Sequence, residues 1–290
     1  MTRAAWKAAP ASITVVSAYT TNPCMAIDTW DPRQYDKFER QREQPFYDLL
    51  HMIRPGANMC IVDLGCGTGK LTRVMHERLH ARQTIGIDRS ESMLSGAGTD
   101  RPGAVGLRFE VGTIEAFADR ELEPRDRPEL IFSNAALHWV CDHALLLPKL
   151  AALLAPEGQL AFQVPSQHED LTHVTAEEIA ASEPYKSALG GWRRGQPVLG
   201  PEAYARLLYA CGFSDPIVRL IVYPHVLESR EAVVDWFKGS LLTEYARHLP
   251  PALFEQFVDD YRARLLPQLD PGRPFFFPFK RILCWGQRSA

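Results

Sequence analysis

The chain has 290 residues, of which 46% are hydrophobic and 23% are charged. This composition is typical of a folded globular protein and excludes a disordered or fibrous one. Because 32 lysines and arginines nearly balance 35 aspartates and glutamates, the basic surplus that a dedicated nucleic-acid-binding protein needs for phosphate contacts is missing. The sequence also contains no apolar run long enough for a transmembrane helix. We therefore expect neither a nucleic acid nor a membrane as a partner.

The first part of the chain differs in composition from the rest. Its first 27 residues contain Arg3 and Lys7 but no acidic residue, a composition shared with transit peptides. Because Met25 could serve as a start residue, we favour the simpler interpretation that residues 1–29 are a mobile extension. The folded domain is then expected over residues 30–290.

Short apolar runs rich in β-branched residues predict buried parallel strands. They occur at 60–64, 84–88, 107–111, 130–134 and 159–164. Between them lie helix-like stretches, at 71–79, 91–97 and 144–154. Strands and helices that alternate at this spacing predict a doubly wound α/β sheet.

The alternation stops after Pro165. Two further strands are predicted at 216–223 and 275–285, and helical insertions are predicted at about 166–212 and 228–268. We expect these insertions to form a lid over the ligand end of the sheet, because an open sheet exposes that end to water.

The cysteines indicate the cellular compartment. Six are spread along the chain without a Cys-x-x-Cys pair, at Cys24, Cys60, Cys66, Cys141, Cys211 and Cys284. Scattered cysteines in a chain of this length are typical of reduced thiols, so we expect a cytoplasmic protein. No His, Cys and Asp residues have the spacing of a metal site, and no metal is predicted.

A glycine-rich loop follows the first predicted strand. It runs Asp63-Leu64-Gly65-Cys66-Gly67-Thr68-Gly69, and its alternate glycines allow a tight turn and let a ligand lie against bare main chain. Asp88 ends the second predicted strand, where a carboxylate can accept hydrogen bonds from both hydroxyls of a ribose.

Three kinds of nucleotide-binding loop contain such glycines. The dinucleotide fingerprint Gly-x-Gly-x-x-Gly does not fit, because Lys70 occupies the last glycine position. The phosphate-binding P-loop does not fit either, because Leu64 and Leu71 occupy positions that require Gly and Ser or Thr. What remains is an acid followed by Gly-x-Gly-x-Gly, with a second acid at the end of the next strand. This pattern resembles motif one of the class I S-adenosylmethionine-dependent methyltransferases.

The resemblance implies a Rossmann-like, seven-stranded methyltransferase sheet with S-adenosylmethionine as cofactor. The cofactor-binding residues that it implies are Asp63, Gly65, Gly67, Thr68 and Gly69 in the loop, then Asp88, Arg89 and Met93, then Thr113 and Ile114, and finally Asn134 and Ala135. Methyltransferases of this class usually have an acid at the adenine edge, where this sequence has Thr113. A threonine hydroxyl can still accept a hydrogen bond from the adenine amino group.

Longer segments are similar to a narrower family, the bacterial trans-aconitate 2-methyltransferases. The similarity runs from Trp30 to about Cys284, and three segments carry most of it: Asn134-Ala135-Ala136-Leu137-His138-Trp139, Asp235-Trp236-Phe237-Lys238-Gly239 and Phe277-Pro278-Phe279-Lys280-Arg281. It implies that the protein esterifies one carboxylate of a small polycarboxylic acid, with trans-aconitate as the first expectation. A different small molecule, or a malonyl thioester on a carrier, is the alternative. We expect a monomer or a weak oligomer.

The same resemblance implies a substrate pocket formed by Trp30, Tyr35, Arg42, His138, Trp139, Trp192, Arg193 and Arg281. Arginine suits a carboxylate because its planar guanidinium donates two parallel hydrogen bonds. A carboxylic acid is already ionised at neutral pH, so no catalytic acid or base is required. His138 and Trp139 are expected near the reacting centre, where they would only position the substrate.

One position departs from the family pattern. Where the family tends to have Arg-Pro before the tyrosine, this sequence has Thr243-Glu244 before Tyr245. If the family arginine contacts a substrate carboxylate, this chain has lost one positive charge there and gained a negative one.

Overall fold

The computed structural model describes residues 39–95 and 104–289, with side chains from Glu43 onward. The predicted extension at 1–29 and the candidate residues Trp30 and Tyr35 lie outside these ranges, as does the side chain of Arg42. Within the described ranges, no helix combines the length and apolar character needed to cross a membrane.

The centre of the molecule is a seven-stranded sheet. In chain order its strands are β1 (Cys60–Leu64), β2 (Gln83–Asp88), β3 (Leu107–Val111), β4 (Leu130–Asn134), β5 (Gln159–Pro165), β6 (Phe213–Leu227) and β7 (Phe275–Arg288). Across the sheet the order is β3-β2-β1-β4-β5-β7-β6. Strands β1 to β5 are parallel, and β7 is antiparallel to both β5 and β6. The predicted doubly wound, seven-stranded sheet is confirmed.

The edge strand β6 is longer than predicted, because it begins at Phe213 and extends to Leu227. Two prolines interrupt its apolar pattern, and the register with β7 shifts between Ser214 and Ile217, next to Pro216. A proline is tolerated in an edge strand because one side of the strand has no neighbour to receive its missing N–H. The sequence pattern therefore understated the length of this strand.

Helices flank the sheet and continue beyond it. In chain order they are α1 (Glu39–Leu50), α2 (Lys70–Arg78), α3 (Glu91–Leu94), α4 (Ile114–Ala118), α5 (His143–Leu153), α6 (Leu171–Ala180), α7 (Tyr185–Ala188), α8 (Pro201–Ala210), α9 (Glu231–Lys238), α10 (Leu241–His248) and α11 (Pro251–Leu265). The helix predicted at 91–97 is described only to its turn at Ser95, and the remaining two positions lie outside the described residues.

Three apolar clusters hold these layers together. One lies under α5 and α8, and a second joins α1 and α2 to the opposite face of the sheet. A third cluster packs α6, α7 and α9 to α11 against the Phe275–Phe279 part of β7. The helical segments thus rest on the end of the sheet through an apolar core of their own.

Helix α8 differs from the predicted arrangement, in which it belonged to the first insertion. Its Tyr204 and Leu208 are four residues apart and are fully buried in the cluster under the sheet. The Tyr204 hydroxyl also forms a hydrogen bond with His143 of α5, with 2.6 Å between its oxygen and His143 Nδ1. This apolar face makes α8 part of the layer that covers the sheet.

Candidate active site

A cavity of about 660 Å³ lies at the carboxyl ends of β1, β2, β4 and β5. Its volume falls within the range of about 300 to 1,000 Å³ that is usual for ligand sites. One wall is formed by the glycine-rich loop and the opposite wall by residues of α6, α9 and α10. The neighbouring strands β1 and β4 mark the point where the strand order reverses, which is where open α/β sheets bind ligands.

The glycine loop requires Gly65 for steric reasons. Gly65 has φ +75°, and a Cβ added there would lie 2.1 Å from Ala136 Cβ. The Gly65 N–H donates to Ile87 O over 2.8 Å, which holds the loop against β2. Main chain without a side chain therefore forms this part of the cavity wall.

Asp88 connects the loop to the end of β2. Its Oδ2 accepts a hydrogen bond from Gly67 N over 2.8 Å, and its Oδ1 accepts one from Ser90 N over 2.9 Å. Each carboxylate oxygen has a second lone pair. Asp88 can therefore keep both backbone contacts and also accept hydrogen bonds from a ligand in the cavity.

Asp63 is the most buried acid of the cavity wall, with 4% of its surface exposed. Burial raises its pKa from an ordinary 3.8 to about 7, and the nearby charge of Asp88 acts in the same direction. Thr72 Oγ1 donates to Asp63 Oδ2 over 2.6 Å, which favours the ionised form. No described residue forms an ion pair with Asp63, so a cationic ligand group would supply the opposite charge.

The predicted adenine edge also lines the cavity, and its hydroxyl has a structural role. Thr113 Oγ1 accepts the Ala116 N–H over 3.1 Å and thereby caps α4. The hydroxyl keeps one lone pair for an adenine amino group. Arg89, Met93 and Ile114 line the cavity as well.

Gly69 does not line the cavity, although it was predicted to bind the cofactor. It is the residue before α2, it is buried, and it has φ +71°. Its carbonyl accepts the Arg73 N–H over 3.0 Å. The left-handed backbone before the helix thus explains why position 69 is a glycine.

Arg281 is buried, with 4% exposure, and lies on β7 opposite Pro165 of β5. Its Nη1 donates to Gln163 Oε1 over 3.1 Å, and Gln163 Nε2 donates to Asn134 Oδ1 over 2.8 Å. This network joins a predicted substrate residue to a predicted cofactor residue. Arg281 and Asn134 both line the cavity. Because hydrogen bonds through Gln163 connect them, the position of the Arg281 side chain depends on that of Asn134.

Two histidines of the cavity wall are uncharged at neutral pH. Burial, together with the positive charges of Arg281 and Arg194, lowers the pKa of His138 to about 3. Burial likewise lowers the pKa of His173 to about 3, with Arg194 contributing. The positive charges beside these two histidines therefore come from Arg194 and Arg281.

Two predicted substrate residues lie away from the cavity. Trp192 stacks on His248 with ring centroids 4.1 Å apart and packs edge-on against Tyr245, in the helical core. Arg193 is exposed on the surface. The adjacent Arg194 lines the cavity instead. The sequence located the right segment but could not tell which side chain turns inward.

Sequence reasoning also missed part of the wall. The residues that line the cavity without having been predicted include Gln167, His168, His173, Arg194, Gln196, Trp236, Phe237 and Arg247. Trp236 and Phe237 lie in a segment that resembles the family, and Glu244 lies where the sequence departs from the family pattern. For Gln167 and His173 the sequence offered no signal, because neither lies in a recognisable motif.

Comparison with known proteins agrees with the family resemblance that the sequence motifs indicate. Residues 55–205 match a family model described as a methyltransferase domain. The trans-aconitate 2-methyltransferase of Deinococcus radiodurans is 36% identical, over 88% of this chain and 96% of its own. The chain belongs to the trans-aconitate 2-methyltransferase family. The enzyme of the same name from Variovorax paradoxus is 34% identical over 88% of this chain and 95% of its own.

Solved structures agree on the fold of this trans-aconitate 2-methyltransferase family member. The YcgJ protein of Bacillus subtilis covers 86% of this chain and 99% of its own with a TM-score of 0.57 and 17% identity. Phosphoethanolamine N-methyltransferase 2 of Haemonchus contortus, solved with S-adenosyl-L-methionine, covers 90% of this chain and 59% of its own with a TM-score of 0.50 and 16% identity.

The predicted family and activity class are confirmed: the chain is a methyltransferase whose cofactor is S-adenosylmethionine. The residues at the sheet end fit this cofactor. The bare main chain at Gly65 admits close approach, Asp88 offers acceptors for a ribose, and the deeply buried Asp63 calls for a cationic group. Among the residues from 39–95 and 104–289, no cluster of three or more His, Cys, Asp or Glu side chains could hold a metal ion.

Proposed function

We propose that this chain methylates a carboxylate of a small polycarboxylic acid, with trans-aconitate as the first candidate. The observation that carries the proposal is the position of Arg194, Arg247 and Arg281 in the cavity that also contains the glycine loop. Arginines in a partly enclosed cavity favour an anionic ligand with more than one carboxylate. The names of the similar proteins support the same acid.

The cofactor-binding residues in this proposal are those of the loop and the neighbouring strand ends. Asp63, Gly65, Gly67 and Thr68 would bind the methionine portion, and Asp88 would accept the ribose hydroxyls. Arg89, Met93, Thr113 and Ile114 would surround the adenine, and Asn134 and Ala135 would lie between cofactor and substrate. When bound, the cofactor supplies an electrophilic methyl group on a positively charged sulfur.

Catalysis in this proposal is positioning. A carboxylate is ionised at neutral pH because its ordinary pKa is about 4, so the site needs no general base. Arg281 would hold a substrate carboxylate that does not react, and Gln163 would keep the guanidinium in place. His138 is neutral and adds no competing positive charge. Alignment of the reacting atoms alone can lower a barrier by roughly 7–11 kcal/mol.

The helical segments would exclude water from the reacting centre. Trp139, Trp236 and Phe237 contribute large apolar surfaces to the cavity wall. We also propose a cytoplasmic enzyme, since no disulfide joins any of the described cysteines.

The experiment is methyl transfer from labelled S-adenosylmethionine to a panel of acids. The panel contains trans-aconitate, cis-aconitate, isocitrate, a malonyl thioester and simple monocarboxylates. We expect polycarboxylates to be labelled and monocarboxylates to remain unlabelled, because the single carboxylate of a monocarboxylate must react and leaves no second carboxylate for Arg281 to hold. Labelling of the malonyl thioester alone would contradict the proposal and favour a carrier-bound substrate.

A further inference from the structure

A partly buried ion pair forms part of the cavity wall on the side of the helical segments. Arg194 Nε donates to Glu244 Oε1 over 2.9 Å, and both residues line the same cavity as Arg281. Their side chains are only 13% and 22% exposed. Salt screens partly buried charges much less than exposed ones, so both charges act on a ligand that reaches this part of the wall.

The sequence and fold hold this pair in place. Glu244 lies in the first turn of α10, where the helix dipole favours a negative charge. Arg194 lies on the segment between α7 and α8, fifty positions away along the chain. Because α10 is anchored in the helical core through Leu241 and Tyr245, the Glu244 carboxylate cannot withdraw easily from the cavity.

Glu244 differs from the other acids of the cavity wall by its location. The others belong to α1 or to the cofactor half of the site and are Glu43, Asp63, Asp88 and Glu115. Glu43 is paired with Lys70 over 2.8 Å. Within the described chain, Glu244 is therefore the cavity carboxylate that comes from the helical segments beside Arg194.

The pair presents a hydrogen-bond donor and an acceptor next to each other. A ligand hydroxyl can satisfy both, because it can donate to the Glu244 carboxylate and accept from the Arg194 guanidinium. A ligand carboxylate has acceptors only. It would gain a contact with Arg194 but would lie beside the negative charge of Glu244, and like charges brought together in a binding site oppose binding.

We propose that Glu244 is a specificity-determining residue that selects acids with a hydroxyl, rather than a further carboxylate, beside Arg194. The inference rests on the proposed function and changes the order of its candidates: among small polycarboxylic acids, hydroxy-dicarboxylic acids come before trans-aconitate, which has no hydroxyl. One carboxylate of such an acid is methylated, and the other contacts Arg281.

The test compares trans-aconitate with three analogues, each with one carboxylate replaced by hydroxymethyl, and with the matching methyl compounds. The full chain is used, and kcat/KM for methyl transfer is measured. We expect one hydroxymethyl analogue to exceed trans-aconitate by roughly tenfold or more, because like-charge repulsion is removed. Its methyl counterpart is expected to be poorer than the hydroxymethyl analogue, because it cannot bridge Arg194 and Glu244.

The variant Glu244→Gln identifies the residue responsible. Glutamine can still accept the Arg194 N–H but carries no charge, so the preference for the hydroxymethyl analogue over trans-aconitate is expected to fall about tenfold. The matched control is Glu178→Gln, which removes the same charge from the half-exposed pair that Glu178 forms with Arg264 over 2.6 Å, away from the cavity. The control is expected to keep the wild-type preference.

The outcomes separate the two proposals. Methylation of trans-aconitate above every hydroxymethyl analogue, with a ratio that Glu244→Gln leaves unchanged, would overturn the role of Glu244 and leave the proposed function intact. No methylation of any of these acids by a protein that binds S-adenosylmethionine would overturn the proposed function, and with it the narrower substrate class.

Discussion

Asp88 has two duties at the scale of a single residue. Its two oxygens hold the backbone N–H groups of Gly67 and Ser90, and in the proposed function they also accept the ribose hydroxyls. Replacement by alanine removes charge-assisted hydrogen bonds, each worth about 1.5–3 kcal/mol. We expect Asp88→Ala to weaken S-adenosylmethionine binding by about 10- to 100-fold, as measured by titration calorimetry.

The control for this variant is Asp119→Ala. Asp119 forms an exposed pair with Lys149 over 2.7 Å and does not line the cavity. Its loss is expected to leave cofactor affinity unchanged, since exposed pairs contribute little. Equal affinity of the Asp88 variant and the wild type would remove Asp88 from the cofactor site.

In the proposed function, Asp63 would make cofactor binding sensitive to pH. Burial raises its pKa to about 7, so below this pH the free protein carries a neutral Asp63 that must lose a proton before it can balance a cationic ligand. Proton release on binding means that affinity rises with pH. We expect the dissociation constant for S-adenosylmethionine to fall from pH 6 to pH 7 and to level off above that range.

The raised pKa of Asp63 also makes the stability of the ligand-free protein depend on pH, but this stability falls as the pH rises. Because the folded-state pKa of Asp63 is above its ordinary value of 3.8, its contribution to stability is full below about pH 4 and is lost as the pH rises through about 7.

The control for the predicted pH dependence of cofactor affinity is Asp63→Asn. This variant cannot titrate at position 63, so its affinity for S-adenosylmethionine should not change between pH 6 and pH 7. A slope retained in Asp63→Asn would assign the pH dependence to another group.

At the scale of elements, the turn between β1 and α2 depends on a residue without a side chain. A Cβ at position 65 would lie 2.1 Å from Ala136 Cβ at a φ of +75°. Since Ala136 Cβ is fixed to the backbone, it cannot move aside as a long side chain could. We expect Gly65→Ala to reduce the free energy of unfolding by about 2 kcal/mol or more, as measured by chemical denaturation.

A second glycine separates the two causes of this loss. Gly190 has φ +57°, but a Cβ there would meet no atom within 4 Å. Gly190→Ala therefore reports backbone strain without the collision and is expected to cost about 1 kcal/mol. If both variants lost the same stability, the contact with Ala136 would not be what requires Gly65.

Helix α10 shows how a short element places charged side chains in the cavity wall. Its Leu242 and Tyr245 are buried in the helical core, while Glu244 and Arg247 line the cavity. Positions 244 and 247 are three apart and so lie on neighbouring parts of one helical face. Apolar packing on one side of the helix thus fixes the charges on the other.

At the scale of the whole molecule, ligand binding and folding are linked. A ligand at 100 times its dissociation constant stabilises the folded state by about 2.7 kcal/mol. For a chain of 290 residues, we expect S-adenosylmethionine to raise the melting temperature by about 4–5 °C. At the same ligand concentration, Asp88→Ala should show a clearly smaller shift in thermal unfolding, and an equal shift would mean that the ligand binds elsewhere.

The sequence by itself determined the sheet and the part of the cavity wall that we propose binds the cofactor. Each parallel strand is a short apolar run, and the loop and acid that follow β1 and β2 are neighbours both in the sequence and in space. Local patterns suffice there, because parallel strands always bring their carboxyl ends to the same edge. Thus Asp63, Gly65 and Asp88 could be found without coordinates.

Only the tertiary structure decided the substrate half. Arg194 and Glu244 are fifty positions apart, and Arg281 comes from the last strand. Which arginine of the pair Arg193 and Arg194 faces the cavity depends on how Trp192 packs against α10. That packing is a long-range contact between helical segments, and the pattern of residues within a segment does not encode which partner it will meet.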